Sequence, residues 1–130
     1  MPTPFVFTSE VLVSIMPPSH ELFRHLCLQV VWRGQDTYAV LFNNRALDKD
    51  GTLEYESLPS NRRDEFIART RFSLEDAVSL ARKYAPLVTC MGLTAADWLT
   101  VTEIENVEEQ NRARKELLEA RRASNEQTLP

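Results

Sequence analysis

Glycine is scarce in this sequence, which has 130 residues and only three glycines, Gly34, Gly51 and Gly92. A loop that binds phosphate needs several glycines close together, because its backbone must approach the phosphate closely. The wide spacing of these three residues therefore excludes the common nucleotide-binding motifs. We expect no cofactor.

Cysteine and histidine are also scarce, with two of each. The sequence has no CxxC or HxxxH pair, so it predicts no metal site. His25 and Cys27 leave one enzymatic hypothesis open, a Cys/His enzyme of uncommon type. In such an enzyme, folding would bring the carboxylate of Asp36 or Asp97 near His25 and Cys27. Residues two apart on a strand face are about 6–7 Å apart, beyond hydrogen-bond reach, so ordinary packing is favoured and no catalytic residue is assigned.

Long hydrophobic runs are absent as well. The longest mainly apolar stretch, residues 5–16, contains polar residues and is too short to cross a bilayer as a helix. The N-terminus lacks the basic head and the cleavage site of a secretory signal. We therefore expect a cytoplasmic protein without a membrane segment. Composition fits a packed globular chain, and we predict one domain over residues 1–123 followed by a flexible tail at 124–130.

The first half of the chain has apolar residues at period two, which is typical of strands. Turn residues separate four such segments. Strands are predicted at residues 5–16, 22–32, 37–47 and 52–56. Asn43 and Asn44 tolerate left-handed backbone, so they should interrupt the third strand as a bulge. Residues 19–26 fit either the start of the second strand or one or two turns of helix.

The second half changes to helical spacing. Ser60, Ser73 and Thr94 are good helix caps, and the helix after Ser73 carries an apolar stripe that should pack on the sheet. Residues 99–105 fit either helix or strand, whereas residues 106–123 predict a long, polar last helix. The expected fold class is therefore α+β, with an N-terminal antiparallel β-meander of about four strands packed by C-terminal helices.

Two segments are candidate binding sites. Four arginines crowd ten residues after the sheet, Arg62, Arg63, Arg69 and Arg71. Arginine suits bidentate phosphate contacts, although interleaved acids and the net charge of −4 favour local ion pairs instead. The last helix has few apolar residues to bury, so it is either a projecting arm or an element that a partner completes. Its predicted partner-binding residues are Arg114, Leu117, Leu118 and Arg121.

These patterns together favour a non-enzymatic binding or accessory protein with a protein partner or self-association. Small inhibitors and adaptors of phage and bacterial genomes have this character, which is an association and not an inference. A nucleic-acid-binding accessory domain that uses the Arg62–Arg71 segment is the first alternative. The Cys/His enzyme is the second.

Overall fold

The computed structural model of the chain describes residues 2–56 and 63–124. Within them, five strands form an antiparallel sheet in chain order and four helices follow. The strands of this sheet are β1 (Glu10–Val13), β2 (Leu28–Trp32), β3 (Tyr38–Phe42), β4 (Arg45–Leu47) and β5 (Leu53–Tyr55). The helices are α1 (Asp64–Thr70), α2 (Leu74–Tyr84), α3 (Ala95–Thr102) and α4 (Val107–Ala123), with a small hairpin of β6 (Thr89–Cys90) and β7 (Leu93–Thr94) before α3. The fold is α+β with a long last helix, as predicted.

Contacts divide the chain into two compact units. The first unit comprises Met1–Val13 and Gln29–Ala81, and the second comprises Ser14–Leu28 and Arg82–Pro130. Each unit buries apolar residues of its own, for example Val40 in the first and Leu93 in the second. One domain over residues 1–123 stays a prediction, and residues 125–130 of the predicted tail lie outside the described residues.

The sheet has one more strand than expected because of Asn43 and Asn44. Both have positive φ, 50° and 63°, which is the backbone of a two-residue hairpin turn. The chain therefore reverses at this pair instead of bulging, and the predicted strand at 37–47 is the two strands β3 and β4. In the neighbouring hairpin, Val30 of β2 faces Val40 of β3, and both are fully buried.

Two predicted strands are shorter in the structure because local hydrogen bonds compete with the ladder. The strand at 5–16 is reduced to β1, and the strand at 22–32 to β2. Before β2, Phe23–His25 form a 3-10 turn, and the ring of His20 accepts a hydrogen bond from the backbone N–H of Leu22 at 3.0 Å. Helical turns are therefore the conformation adopted within residues 19–26.

In the first unit, α1 contacts the sheet through Phe66. Phe66 of α1 packs with Ala39 and Leu41 of β3 and with Ala46 of β4. We expected a surface helix capped by Ser60. The helix is exposed on most positions but is anchored by Phe66, and Ser60 lies outside the described residues.

Helix capping agrees with the sequence at two positions. The hydroxyl of Ser73 accepts from the N–H of Asp76 at 3.1 Å at the start of α2. Thr94 and Asp97 form a complete capping box at the start of α3, with hydrogen bonds of 3.2 and 3.1 Å. The helix continues to Thr102, so most of residues 99–105 is helical.

In the second unit, α4 packs against α3 and β7. No residue of α4 is fully buried, and one side of the helix is half-buried. The segment before α3 lies outside the four strands predicted from the sequence. It is the β6–β7 hairpin, which turns at Met91 and Gly92 with φ of 51° and 81°. Among the described residues, no helix has both the length and the apolar character to cross a membrane.

Gly92→Ala should destabilise the chain more than Gly34→Ala. Both glycines have positive φ, 81° and 94°, so each substitution costs about 1–2 kcal/mol of backbone strain. A Cβ at position 92 would also lie 2.9 Å from Cδ2 of Leu118, whereas a Cβ at position 34 meets nothing within 4 Å. We expect an additional loss of about 1 kcal/mol for Gly92→Ala, measured by urea unfolding. Equal losses in the two variants would contradict this packing.

Candidate functional site

The arginine segment is largely engaged in ion pairs. Arg71 is mostly buried, and its Nη2 lies 2.8 Å from Oε1 of Glu56. Its guanidinium also lies over the ring of Phe66, with Cζ 5.7 Å from the centroid. Arg33 binds the other carboxylate oxygen of Glu56. Arg71 thus belongs to a buried three-residue network in the first unit.

The other arginines of this segment are more exposed. Nη2 of Arg69 lies 2.7 Å from Oε2 of Glu54, and its Nη1 lies 3.8 Å from Oδ2 of Asp48. Arg63 is exposed at the N-terminus of α1, and Arg62 lies outside the described residues. Two arginines of this segment, Arg69 and Arg71, therefore form ion pairs with carboxylates of the same unit. A nucleic-acid interface at this segment stays a prediction.

The predicted partner-binding residues of α4 face their own unit. Arg121 binds Asp97 through two hydrogen bonds, Nε to Oδ2 at 2.8 Å and Nη2 to Oδ1 at 3.0 Å. Leu118 contacts the turn at Gly92, and Leu117 lines a depression beside Asp97. Substitutions at these leucines would loosen α4 as well as any interface. The sequence did not reveal this packing because the hairpin that receives Leu118 has strands of only two residues.

The cysteine and histidine of the enzymatic hypothesis show no special environment. Cys27 is buried, and its thiol donates to the carbonyl of Arg24 at 3.6 Å. His25 is exposed at the end of the 3-10 turn. At the other cysteine, burial raises the pKa of the Cys90 thiol, which makes it a poorer nucleophile. Across residues 2–56 and 63–124, no three His, Cys, Asp or Glu side chains are placed to hold a metal ion.

A different surface has the character of a binding site. Nine large apolar side chains are exposed in the described part of the chain, and five of them belong to the segment before β1, to β1 itself or to the end of β2. We call this surface the aromatic edge, and its residues are Phe5, Val6, Phe7, Leu12 and Trp32. Their exposed fractions are 96%, 96%, 60%, 38% and 41%, respectively.

The aromatic edge is held in place from behind. The rings of Phe7 and Trp32 have centroids 4.8 Å apart. The backbone carbonyls next to Phe7 also have partners, because Thr8 accepts from the hydroxyl of Tyr38 at 2.7 Å and Ser9 accepts from the N–H of Trp32 at 2.9 Å. Residues 7–9 are therefore fixed to the sheet, while most of the Phe7 side chain remains in water.

The residues of the aromatic edge were not among the predicted binding residues, although the composition of the segment before and within β1 points to an unprotected edge strand. Residues 5–16 contain no lysine and no proline, and Glu10 is their single charged residue. Exposed edge strands in natural proteins are commonly protected by such residues against pairing with other chains. β1 lies at the end of the sheet and has little of this protection.

Comparisons of this chain with protein-family models, with curated proteins and with solved structures find no match.

Two buried carboxylates, Glu56 and Asp97, have pKa values below their ordinary range. Burial acts to raise the pKa in each case, but the hydrogen bonds and charges of Arg33 and Arg71 outweigh it at Glu56. At Asp97, hydrogen bonds from Arg121 and Thr94 have the same effect. A carboxyl whose pKa is lowered by folding stabilises the protein above its unfolded pKa, and this stability is lost as the pH falls through the folded pKa.

Glu56→Gln should therefore destabilise the first unit in a manner that depends on pH. At about pH 7 the variant leaves Arg33 and Arg71 without their shared carboxylate, and we expect a loss of about 2 kcal/mol. The loss should shrink as the pH falls through the lowered pKa of Glu56, where the wild-type carboxyl becomes protonated. Glu54→Gln is the matched control and should change little, because its ion pair with Arg69 is exposed. Urea unfolding measures both, and a loss at Glu56 that is independent of pH would contradict the assignment.

Proposed function

We propose that the chain is a non-enzymatic binding protein that acts through a protein partner, and that the aromatic edge is its docking surface. The observation that supports the proposal is the exposure of five large apolar side chains beside an edge strand. Apolar surface of this kind in contact with water favours association, because covering it releases the hydrating water. Adding a strand to an exposed sheet edge is a recurring mode of protein recognition.

The aromatic edge suits an extended, apolar strand. The outer side of β1 has backbone N–H and C=O groups that can continue the ladder, and Leu12 adds apolar contact. Glu10 is the single charge of β1, and its carboxylate accepts from the side chain of Gln29 at 3.3 Å. Glu10 is therefore the one charge that β1 itself presents to a partner.

A second copy of the chain fits these requirements. If two β1 strands pair antiparallel about a twofold axis at Leu12, Leu12 of each copy lies opposite Leu12 of the other, and Glu10 lies opposite Ser14. Val11 then lies opposite Val13. The twofold arrangement places no like charges in opposition, and such isologous contacts are self-complementary by symmetry. Self-association through β1 is therefore the form of binding that we propose.

The two alternative functions have less support. Arg69 and Arg71 of the nucleic-acid hypothesis are paired with carboxylates, which reduces the positive charge available to a phosphate backbone. The enzymatic hypothesis has a buried Cys27 whose thiol donates to a backbone carbonyl. An inhibitor or adaptor role would use the aromatic edge to bind a different protein in place of a second copy.

Leu12→Lys should abolish self-association without unfolding the chain. Leu12 is exposed on β1, and a lysine on an edge strand opposes pairing through its charge and hydration. Val107→Lys is the matched control, since Val107 is an exposed apolar residue at the start of α4. In sedimentation velocity we expect the wild type and Val107→Lys to dimerise with rising concentration, and Leu12→Lys to remain monomeric.

Two results would change this proposal. A monomeric wild type that co-purifies with a host protein, which Leu12→Lys loses and Val107→Lys keeps, would retain the binding function and replace the second copy by that protein. A monomeric wild type whose host contacts are the same in both variants would contradict the assignment of the aromatic edge.

A further inference from the structure

Arg114 differs from three other half-buried arginines of the chain. Arg33 and Arg71 share Glu56, and Arg121 binds Asp97. Arg114 is half-buried on α4, but within residues 2–56 and 63–124 its guanidinium has neither a carboxylate within ion-pair distance nor a hydrogen-bond acceptor. A guanidinium carries five N–H donors, so a half-buried one without acceptors is prepared to bind an anion.

The guanidinium is held by an aromatic ring. Its Cζ lies 5.1 Å from the ring centroid of Trp98, which is a cation–π distance. Trp98 is itself buried, and its Nε1–H donates to the carbonyl of Cys90 at 3.0 Å. The contact supplies no acceptor oxygen, so the N–H groups of Arg114 remain available to a ligand. Arginine can bind a carboxylate through two parallel hydrogen bonds.

Arg114 and Trp98 line a pocket of about 220 Å³ in the second unit, together with His20, Glu21 and Thr102. Its volume is below the roughly 300–1,000 Å³ of pockets for drug-sized ligands, so a ligand must be small. Every lining residue belongs to the second unit. The pocket therefore lies within the second unit.

Hydrogen bonds fix the part of the pocket wall formed by His20 and Thr102. Nδ1 of His20 accepts from the N–H of Leu22 at 3.0 Å, so in the neutral ring the proton is on Nε2. Nε2 then donates to Oγ1 of Thr102 at 3.0 Å, and that hydroxyl donates to the carbonyl of Trp98 at 2.8 Å. His20 and Thr102 thus shape the pocket, and Arg114 is the positively charged group that can bind an anion there.

Glu21 determines which anions suit the pocket. It is an exposed residue that lines the pocket and carries a negative charge, so it opposes a multiply charged anion such as phosphate. The same carboxylate can accept a hydrogen bond from an amine or hydroxyl of the ligand. A ligand with one carboxylate and a neighbouring hydrogen-bond donor can therefore bind Arg114 with the carboxylate and Glu21 with the donor.

We propose that the pocket between Arg114, Trp98 and Glu21 binds a small carboxylate that carries a hydroxyl or amine donor. Arg114 binds the carboxylate in the plane of its guanidinium. Glu21 accepts from the donor group. This site is separate from the aromatic edge, so its test is independent of the proposed protein-binding function.

The test is an NMR titration of the ¹⁵N-labelled full chain with glycolate, and with acetate and methylammonium as comparison probes, at constant ionic strength. We expect saturable shifts at the indole Nε1–H of Trp98 with glycolate, weaker binding of acetate and none of methylammonium. Arg114→Gln should weaken glycolate binding at least about tenfold, because the two in-plane hydrogen bonds are lost. Arg112→Gln removes an exposed arginine of the same helix and should leave the affinity unchanged.

Two further variants make the test decisive. Glu21→Ala should abolish the preference for glycolate over acetate, because it removes the acceptor of the glycolate hydroxyl while the loss of its negative charge affects both anions alike. Arg114→Lys keeps the charge without the planar fork and should bind glycolate several-fold more weakly, which keeps the test valid if Arg114→Gln fails to fold. The absence of saturable shifts in the wild type, or undiminished affinity in a folded Arg114 variant, would overturn the proposal.

Discussion

The carboxylate of Asp97 joins the start of α3 to the end of α4. Its Oδ2 accepts from the N–H of Thr94 in the capping box and from Nε of Arg121, while its Oδ1 accepts from Nη2 of Arg121. A buried carboxylate is costly unless it is hydrogen-bonded and paired, and here both conditions are met. Because α4 is fixed at Arg121, Arg114 two turns earlier is placed over Trp98. The position of Arg114 in the proposed carboxylate pocket therefore depends on the ion pair between Arg121 and Asp97, which lies outside the pocket.

The two units offer surfaces of opposite character. In the first unit, charged side chains are arranged inward around Glu56, and the aromatic edge is left to meet water. In the second unit, aromatic Trp98 is buried and a cation lies at the pocket beside it. An apolar edge favours an extended protein strand, whereas a small polar pocket favours a low-molecular-weight anion. The two proposals thus rest on different residues and different forces.

Sequence patterns predicted the elements that local chemistry determines. The capping box at Thr94 and Asp97 placed the start of α3, and period-two spacing identified the sheet and its α+β class. The sequence patterns gave the wrong local structure where a few residues determine whether the chain bulges or turns. Asn43 and Asn44 permit both a bulge and a hairpin, and the choice depends on which strand pairs next. The proposed sites were partly visible: Arg114 was selected, but its lack of an acid partner depends on tertiary packing.

The distribution of tryptophan gives each unit a separate optical reporter. The sequence has two tryptophans, Trp32 in the first unit and Trp98 in the second. Trp32 is 41% exposed, whereas Trp98 is 6% exposed and hydrogen-bonded through its indole. An indole in water emits at longer wavelength than one in an apolar interior, so the two contributions differ in colour as well as in location. Replacing one ring at a time by phenylalanine would resolve whether the units melt together or in succession.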